Sequence, residues 1–162
     1  MAHDQPFETL YELIKDIRVA MLVTRAPGGV VNARPMWTQD RRRDDDLWYF
    51  ASRASGKVQE IGAEPRVVVT YSDPGKGRFV TIKGTATVES DRAIIRELWN
   101  VHAKAWFEGG PEDPDVVLIR VKGETAEYWD GPSKAVYLLS LLKSMTVGGP
   151  PATGDHEKMV LW

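Results

Sequence analysis

Apolar side chains recur at three- and four-residue intervals at the start of the chain, at Phe7, Leu10, Tyr11, Ile14 and Ile17. That spacing predicts an amphipathic helix over residues 5–16. The period then changes. Arg18 to Thr24 is an apolar run rich in β-branched residues and predicts a strand, and Ala26-Pro27-Gly28-Gly29 predicts a turn. Val30 to Thr38 alternates apolar and polar, the pattern of a half-buried strand. Leu47 to Ala51, Arg66 to Tyr71 and Arg78 to Val88 read as further strands. Between them, Ser55 to Gly62 is a short helix closed by Glu64-Pro65, and Asp73-Pro74-Gly75-Lys76-Gly77 is a hairpin turn. Ser90-Asp91 reads as a helix start, with Ile94, Ile95, Leu98, Trp99, His102 and Trp106 on one face, which makes His102 a packed core residue. Val116 to Val121 is a strand that Glu124 to Trp129 extends, and Ser133 to Met145 is helical. After a Gly/Pro loop from Val147 to Asp155, the apolar end Lys158-Met159-Val160-Leu161-Trp162 is expected to dock on the body.

Hairpins join most of these strands, so the sheet is largely antiparallel. The fold class is mainly β with flanking helices, an antiparallel split β-barrel of about six strands. At 162 residues the chain fits one domain, residues 1–162, with a C-terminal tail from about 147 to 162.

A formal net charge of −2 gives no basic field for nucleic acid or an anionic membrane. The absence of cysteine removes disulfides, thiolate nucleophiles and cysteine-ligated metals. No apolar run approaches the ~20 residues of a membrane span, and no signal-peptide pattern opens the chain. The expectation is a soluble cytoplasmic protein. Six Trp residues suit core and dimer-interface filling.

Chemistry concentrates in two adjoining segments. Ala33-Arg34-Pro35-Met36-Trp37 and Trp48-Tyr49-Phe50-Ala51-Ser52-Arg53-Ala54-Ser55-Gly56-Lys57 read as two strands joined by a hairpin, the second running into a helix start. The Gln39 to Asp46 link between them, three Arg then three Asp, reads as a solvated hairpin tip. A helix start offers free N–H groups, and Ser52, Ser55, Lys57 and Arg34 add donors and charge, which makes an anion site. The plainer alternative is that Arg34 and Lys57 are surface cations. Ser55-Gly56-Lys57 is no P-loop, because Ala51 and Val58 stand where Gly and Ser or Thr are required. His3, His102 and His156 lack metal-ligand spacing, and no Gly-x-Ser-x-Gly elbow is present.

Taken with Trp106-Phe107, the Gly109-Gly110-Pro111 loop, Asp113-Pro114-Asp115 and Glu127-Tyr128-Trp129-Asp130, these motifs resemble the general stress protein 26 type of the pyridoxamine 5′-phosphate oxidase-like FMN-binding split barrels. The resemblance covers about residues 7–145. It implies FMN, with FAD as the alternative cofactor. The cofactor-binding residues it implies are Arg34, Pro35, Met36 and Trp37 along the flavin, Phe50, Ala51, Ser52 and Ser55 along the ribityl chain and phosphate, Lys57 on the phosphate, and Trp129 reaching the flavin of the other subunit. It also implies a homodimer with flavin sites at the subunit interface. The oxidases carry Arg-x-His-x-Arg after the matching Trp. This chain has Pro132-Ser133-Lys134-Ala135-Val136-Tyr137, so pyridoxamine phosphate oxidation is not expected.

Two functions follow. One is an FMN-dependent oxidoreductase fed by a nicotinamide cofactor, NAD(P)H, with substrate and catalytic residues unassigned. The other is a non-catalytic flavin-binding stress protein, a store or sensor. Deazaflavin, haem through His102, and a dimerisation module with a decayed site are the further alternatives.

Overall fold

The computed structural model describes residues 4–40, 44–132 and 134–161. The elements are α1 (Asp4–Ile14), β1 (Val19–Arg25), β2 (Val31–Trp37), β3 (Leu47–Ser52), α2 (Gly56–Ala63), β4 (Arg66–Asp73), β5 (Arg78–Glu89), α3 (Arg92–Leu98), α4 (Val101–Trp106), β6 (Val116–Asp130), α5 (Lys134–Val147) and β7 (Asp155–Val160). A 3-10 turn at Pro27–Gly29 joins β1 to β2, with Gly28 at φ 83° and Gly29 at φ 84°, a region that favours glycine.

All the strands belong to one antiparallel sheet of order β2-β1-β4-β5-β6-β3, and β7 also pairs with β6. The 15-residue β6 carries two partners on one edge. Its first half pairs with β3, from Val116↔Ser52 to Val121↔Leu47, and its second half with β7, from Thr125↔Val160 to Asp130↔Asp155. The sheet curls into a half-barrel as the resemblance implies, and its concave side holds the main core.

That core alternates along each strand. Leu22, Val69, Val80, Ile82 and Ile119 point inward and are buried, and α1 closes the barrel with Phe7, Leu10, Leu13 and Ile14. On the other face of β3 and β6, Trp48, Val116 and Leu118 form a second cluster with Ile95 and Leu98 of α3.

Two expectations change. First, β2 and β3 are not a hairpin. They lie at opposite ends of the strand order, because β1 takes β2 and β6 takes β3. Arg41, Arg42 and Arg43 of the intervening link lie outside the described residues. Its ends are anchored, with Gln39 and Asp46 buried and Arg120 Nε donating to Asp46 Oδ2 at 2.5 Å.

Second, the single helix expected after Ser90-Asp91 is two. Asp91 caps α3 by accepting from Ala93 N at 2.8 Å, and Asn100 caps α4 by accepting from Ala103 N at 3.0 Å. The break resets the helical phase, so Ala103 is buried while His102 and Trp106 are exposed. His102 is therefore not a core residue.

The apolar terminus docks on the body as expected, and it does so by adding a strand, β7, to β6. Met159 and Leu161 pack on the core, and Leu161 N donates to Glu124 O at 3.0 Å. Ser133 and Trp162 lie outside the described residues.

The β5–β6 register shifts between Lys83 and Gly84, where Gly84 faces Gly123. A Cβ at Gly84 would lie inside the contact distance of the Lys122 carbonyl oxygen. Gly84→Ala is expected to cost about 1–3 kcal/mol by forcing the strands apart. Urea unfolding measures this, and an unchanged midpoint would show that the two backbones do not need that close approach.

Candidate functional site

The inner side chains at the free edge of the sheet converge on one carboxylate. Pairing of Leu22 with Arg34 and of Thr24 with Asn32 brings Thr24, Asn32 and Arg34 together on the inward face. Glu60 of α2 meets them there. Arg34 Nη2 donates to Glu60 Oε2 at 3.0 Å, Arg34 Nη1 donates to Thr24 Oγ1 at 2.6 Å, and Asn32 Nδ2 donates to Glu60 Oε1 at 2.8 Å. The Thr24 hydroxyl donates to Glu60 as well. That hydroxyl, with help from Arg34 and Asn32, holds the Glu60 carboxyl below its ordinary range against the opposing effect of burial. Glu60 had no signal in the sequence beyond its place one turn after Lys57.

Lys57 lies on that earlier turn of α2 and is half-buried. Among the described residues no carboxylate is within ion-pair distance of it. Burial lowers its pKa first, and the positive charge of Arg34 lowers it further. Arg34 is already matched by Glu60, whereas Lys57 has no matching carboxylate among the described residues.

The turn that leads into α2 is tied to the start of β6. Ser52 Oγ donates to Asp115 Oδ2 at 2.6 Å, Ala54 N donates to Asp115 Oδ1 at 3.1 Å, and Arg53 N donates to Asp115 O at 2.7 Å. The Ser52 hydroxyl is the main reason the Asp115 carboxyl is held low. Ser55 sits at the N-cap of α2, but its Oγ donates back to Ser52 O at 2.6 Å and leaves the helix uncapped. Both serine hydroxyls therefore already spend their proton inside the protein.

What remains open are the N–H groups of Gly56 and Lys57, which have no acceptor among the described residues, and the Lys57 ammonium. Arg53 adds to this, since its Nε donates to Pro114 O at 3.1 Å while its two terminal nitrogens have no partner among the described residues. A Cβ built on Gly56 meets only Glu60 Oε1, at 3.9 Å, so the approach to these donors is clear. An N–H pair at a helix start beside an unmatched ammonium suits a phosphate group.

The convex side of the sheet is the second part. Ser72, Phe79, Trp129 and His156 form one row across β4, β5, β6 and β7, and Trp37 and Val19 pair at the same end of β2 and β1. Val19 is 47% exposed, Phe79 42% and Trp129 40%. The Trp129 ring stacks on His156 with centroids 4.8 Å apart and planes at 6°, and His156 Nε2 lies 2.8 Å from Glu127 Oε1. Trp37 stacks on His102 at 3.8 Å. The exposed Phe79 and Trp129 rings, with the half-buried Trp37 at the end of the row, make an apolar surface able to take a flat aromatic ligand.

The ten residues singled out in the sequence therefore separate. Arg34, Lys57 and Ser55 meet at the α2 corner, while Pro35, Trp37 and Trp129 lie on the convex face. Pro35 sits in the terminal strand of the sheet order, where a missing N–H costs no ladder bond. The Met36 and Ala51 side chains are buried in the main core, so a ligand can reach only their backbone. Ser52 is turned to Asp115. Phe50 faces the second cluster, its ring centroid 5.5 Å from Trp99 and 6.3 Å from Phe107, and does not join the α2 corner.

Comparison with known proteins agrees with this architecture. The fold matches that of a general stress protein 26 from Jannaschia sp. CCS1, with a TM-score of 0.78 at 25% identity over 99% of each chain. A general stress FMN/FAD binding protein from Xanthomonas citri matches with a TM-score of 0.64 at 30% identity, covering 78% of this chain and 89% of that one. Protein bli-3 of Neurospora crassa is 29% identical over 160 residues, 93% of this chain and 77% of its own length. The pyridoxamine 5′-phosphate oxidase like family model matches residues 5–151, and the chain belongs to that family.

Proposed function

We propose that this protein binds FMN and serves as a flavin-dependent oxidoreductase of the general stress type, acting as a two-fold homodimer. One observation carries the reading: Lys57, half-buried and unmatched beside Arg34, stands at the open start of α2. The donor set fits a phosphate dianion. It offers one ammonium, two backbone N–H groups, the Arg53 terminal nitrogens and the nearby Arg34 guanidinium, whose charge Glu60 already offsets. The exposed aromatic row fits the flat ring. Bound flavin supplies hydride and electron transfer, with NAD(P)H as the proposed donor. The chain's own part is to hold the phosphate through Lys57 and the α2 N–H groups and to keep water from the ring with Trp37 and Trp129. No helix among the described residues is long and apolar enough to cross a membrane. A cytoplasmic location belongs to the same proposal.

The segment after Trp129 favours this over pyridoxamine phosphate oxidation. It becomes α5, whose only charged residues are Lys134 and Lys143, nine positions apart and with no Arg or His beside them, so it lacks the cation set that clamps a second phosphate. A flavin store or sensor shares the binding site and differs only in turnover. Steady-state NAD(P)H oxidation by the flavin-loaded protein separates the two: turnover above free flavin is expected, and its absence with flavin bound leaves the store or sensor.

Lys57→Ala is expected to weaken FMN binding by about 1–3 kcal/mol, roughly 5- to 150-fold. Equal affinity in a fluorescence titration would remove Lys57 from the site. The pH dependence has a definite sign. Lys57 in the free protein loses its proton below the ordinary value of 10.5, and a phosphate binds the protonated form. FMN affinity should therefore fall as pH rises through the alkaline range beneath 10.5, and Lys57→Met should remove that slope. The same substitution should stabilise the flavin-free chain, because the charged lysine costs folding free energy below its lowered pKa and an apolar side chain does not.

Trp129→Ala is expected to weaken flavin binding or dimerisation. Titration together with sedimentation reads both, and no change in either would make Trp129 a packing residue.

A further inference from the structure

Helix α5 is inverted with respect to its own chain. Among its described side chains, Ala135 to Val147, only Ser140 and Ser144 are less than exposed. The serines face the return loop: Ala152 N donates to Ser140 Oγ at 3.0 Å, and the Ser144 hydroxyl donates to Gly149 O. The apolar side chains point away from the body, with Leu139 67%, Leu142 61% and Met145 77% exposed, alongside Tyr137, Leu138 and Leu141. A helix apolar on all its outward sides is unstable in water and is covered in the working protein.

The nature of the cover follows from three features. A membrane is a poor match, because 14 residues span about 21 Å against roughly 30 Å of hydrocarbon, and two lysines, Lys134 and Lys143, do not make the basic face of an interfacial helix. The same chain carries a second uncovered apolar surface, the convex sheet face with Val19, Met21, Val31, Phe79, Trp129 and Val160 exposed. Neither surface covers the other within one chain. The helix also leaves the sheet directly beside that face, through Gly131, whose N–H is fixed to Gly77 O at 2.9 Å. Two copies related by a two-fold axis, each helix set on the convex face of the other, would bury both surfaces twice.

We infer that α5 is an arm that crosses to a second copy of this chain, lies on its convex sheet face and closes over its Trp129. The inference rests on the homodimer proposed above and adds to it the element that makes the contact. One flavin site is then completed by the helix of the other chain.

Light scattering after size exclusion, run over a dilution series beside an FMN titration, tests it. The wild type is expected to be a dimer and Leu139→Glu/Leu142→Glu a folded monomer, since both residues are exposed within one chain. Met21→Glu, on the receiving face, should produce the same dissociation, with circular dichroism confirming the fold of each variant. A dimer unaffected by the helix variant, with FMN still bound, overturns the inference and leaves the flavin reading standing. A dimer broken by the helix variant but not by Met21→Glu overturns the sheet seat, because the helices then pair with each other. A wild-type monomer, or one that floats with phosphatidylcholine/phosphatidylglycerol vesicles, overturns the crossing altogether. A dimer broken by both variants in a chain that takes no FMN supports the inference and removes the flavin reading instead.

Discussion

The ladder between β5 and β6 is the constraint from which the other features take their place. It runs from Arg78↔Asp130 to Glu89↔Leu118 and shifts register at Lys83/Gly84, where two glycines face each other. A shift of this kind bends and twists both strands, and here it divides β6 into two functional halves. Before the shift β6 carries β3 and the turn into α2, and after it β6 carries Trp129, β7 and the exit to α5. The outer edge of one strand thereby supports the anion corner at one end and the aromatic row at the other.

Glu60 plays the corresponding part among the polar groups. A buried arginine without a counter-charge is costly, and Thr24, Asn32 and Arg34 all donate to this one carboxylate. The network fixes α2 against β1 and β2 and so fixes where the helix starts. It also changes what Arg34 contributes. From the sequence, Arg34 and Lys57 look like equal phosphate ligands. In the fold Arg34 is half of an ion pair, and the positive charge left unmatched at the corner is that of Lys57 with Arg53 beside the same turn.

The pattern of apolar positions made most of the elements legible, because strands with one buried face alternate and α1 keeps a strict helical period. Fold class and family were also legible, since the motifs around Arg34, Lys57 and Trp129 survive as a spaced set. What could not be read is pairing between distant segments. Nothing local tells β2 and β3 that they belong at opposite ends of the strand order, and nothing in the tail marks Asp155–Val160 as a strand until β6 offers it an edge. The split of α3 from α4 was missed for a smaller reason. The apolar face from Ile94 to Trp106 runs unbroken past Asn100, whose side chain competes for the backbone and restarts the helix as a cap. The roles of Glu60, Asp115 and His156 are not legible because the side chains they bind are 26 or more residues away.

The charge arrangement at the α2 corner is more informative than the presence of cations there. A surface lysine relaxes into water and titrates as an ordinary amine, whereas Lys57 is held half-buried beside a second cation at the positive end of a helix. Each of these three features raises the free energy of the flavin-free protein, and none is relieved by a described neighbour. In the proposed reading a phosphate dianion between Lys57 and the Gly56 and Lys57 N–H groups relieves all three together, so that cost becomes affinity for the phosphate. The exposed rings and the bare α5 follow the same logic with apolar surface in place of charge. Both are unfavourable in the isolated chain, and in the proposed reading both are satisfied by burial, against a flat ligand and a second copy.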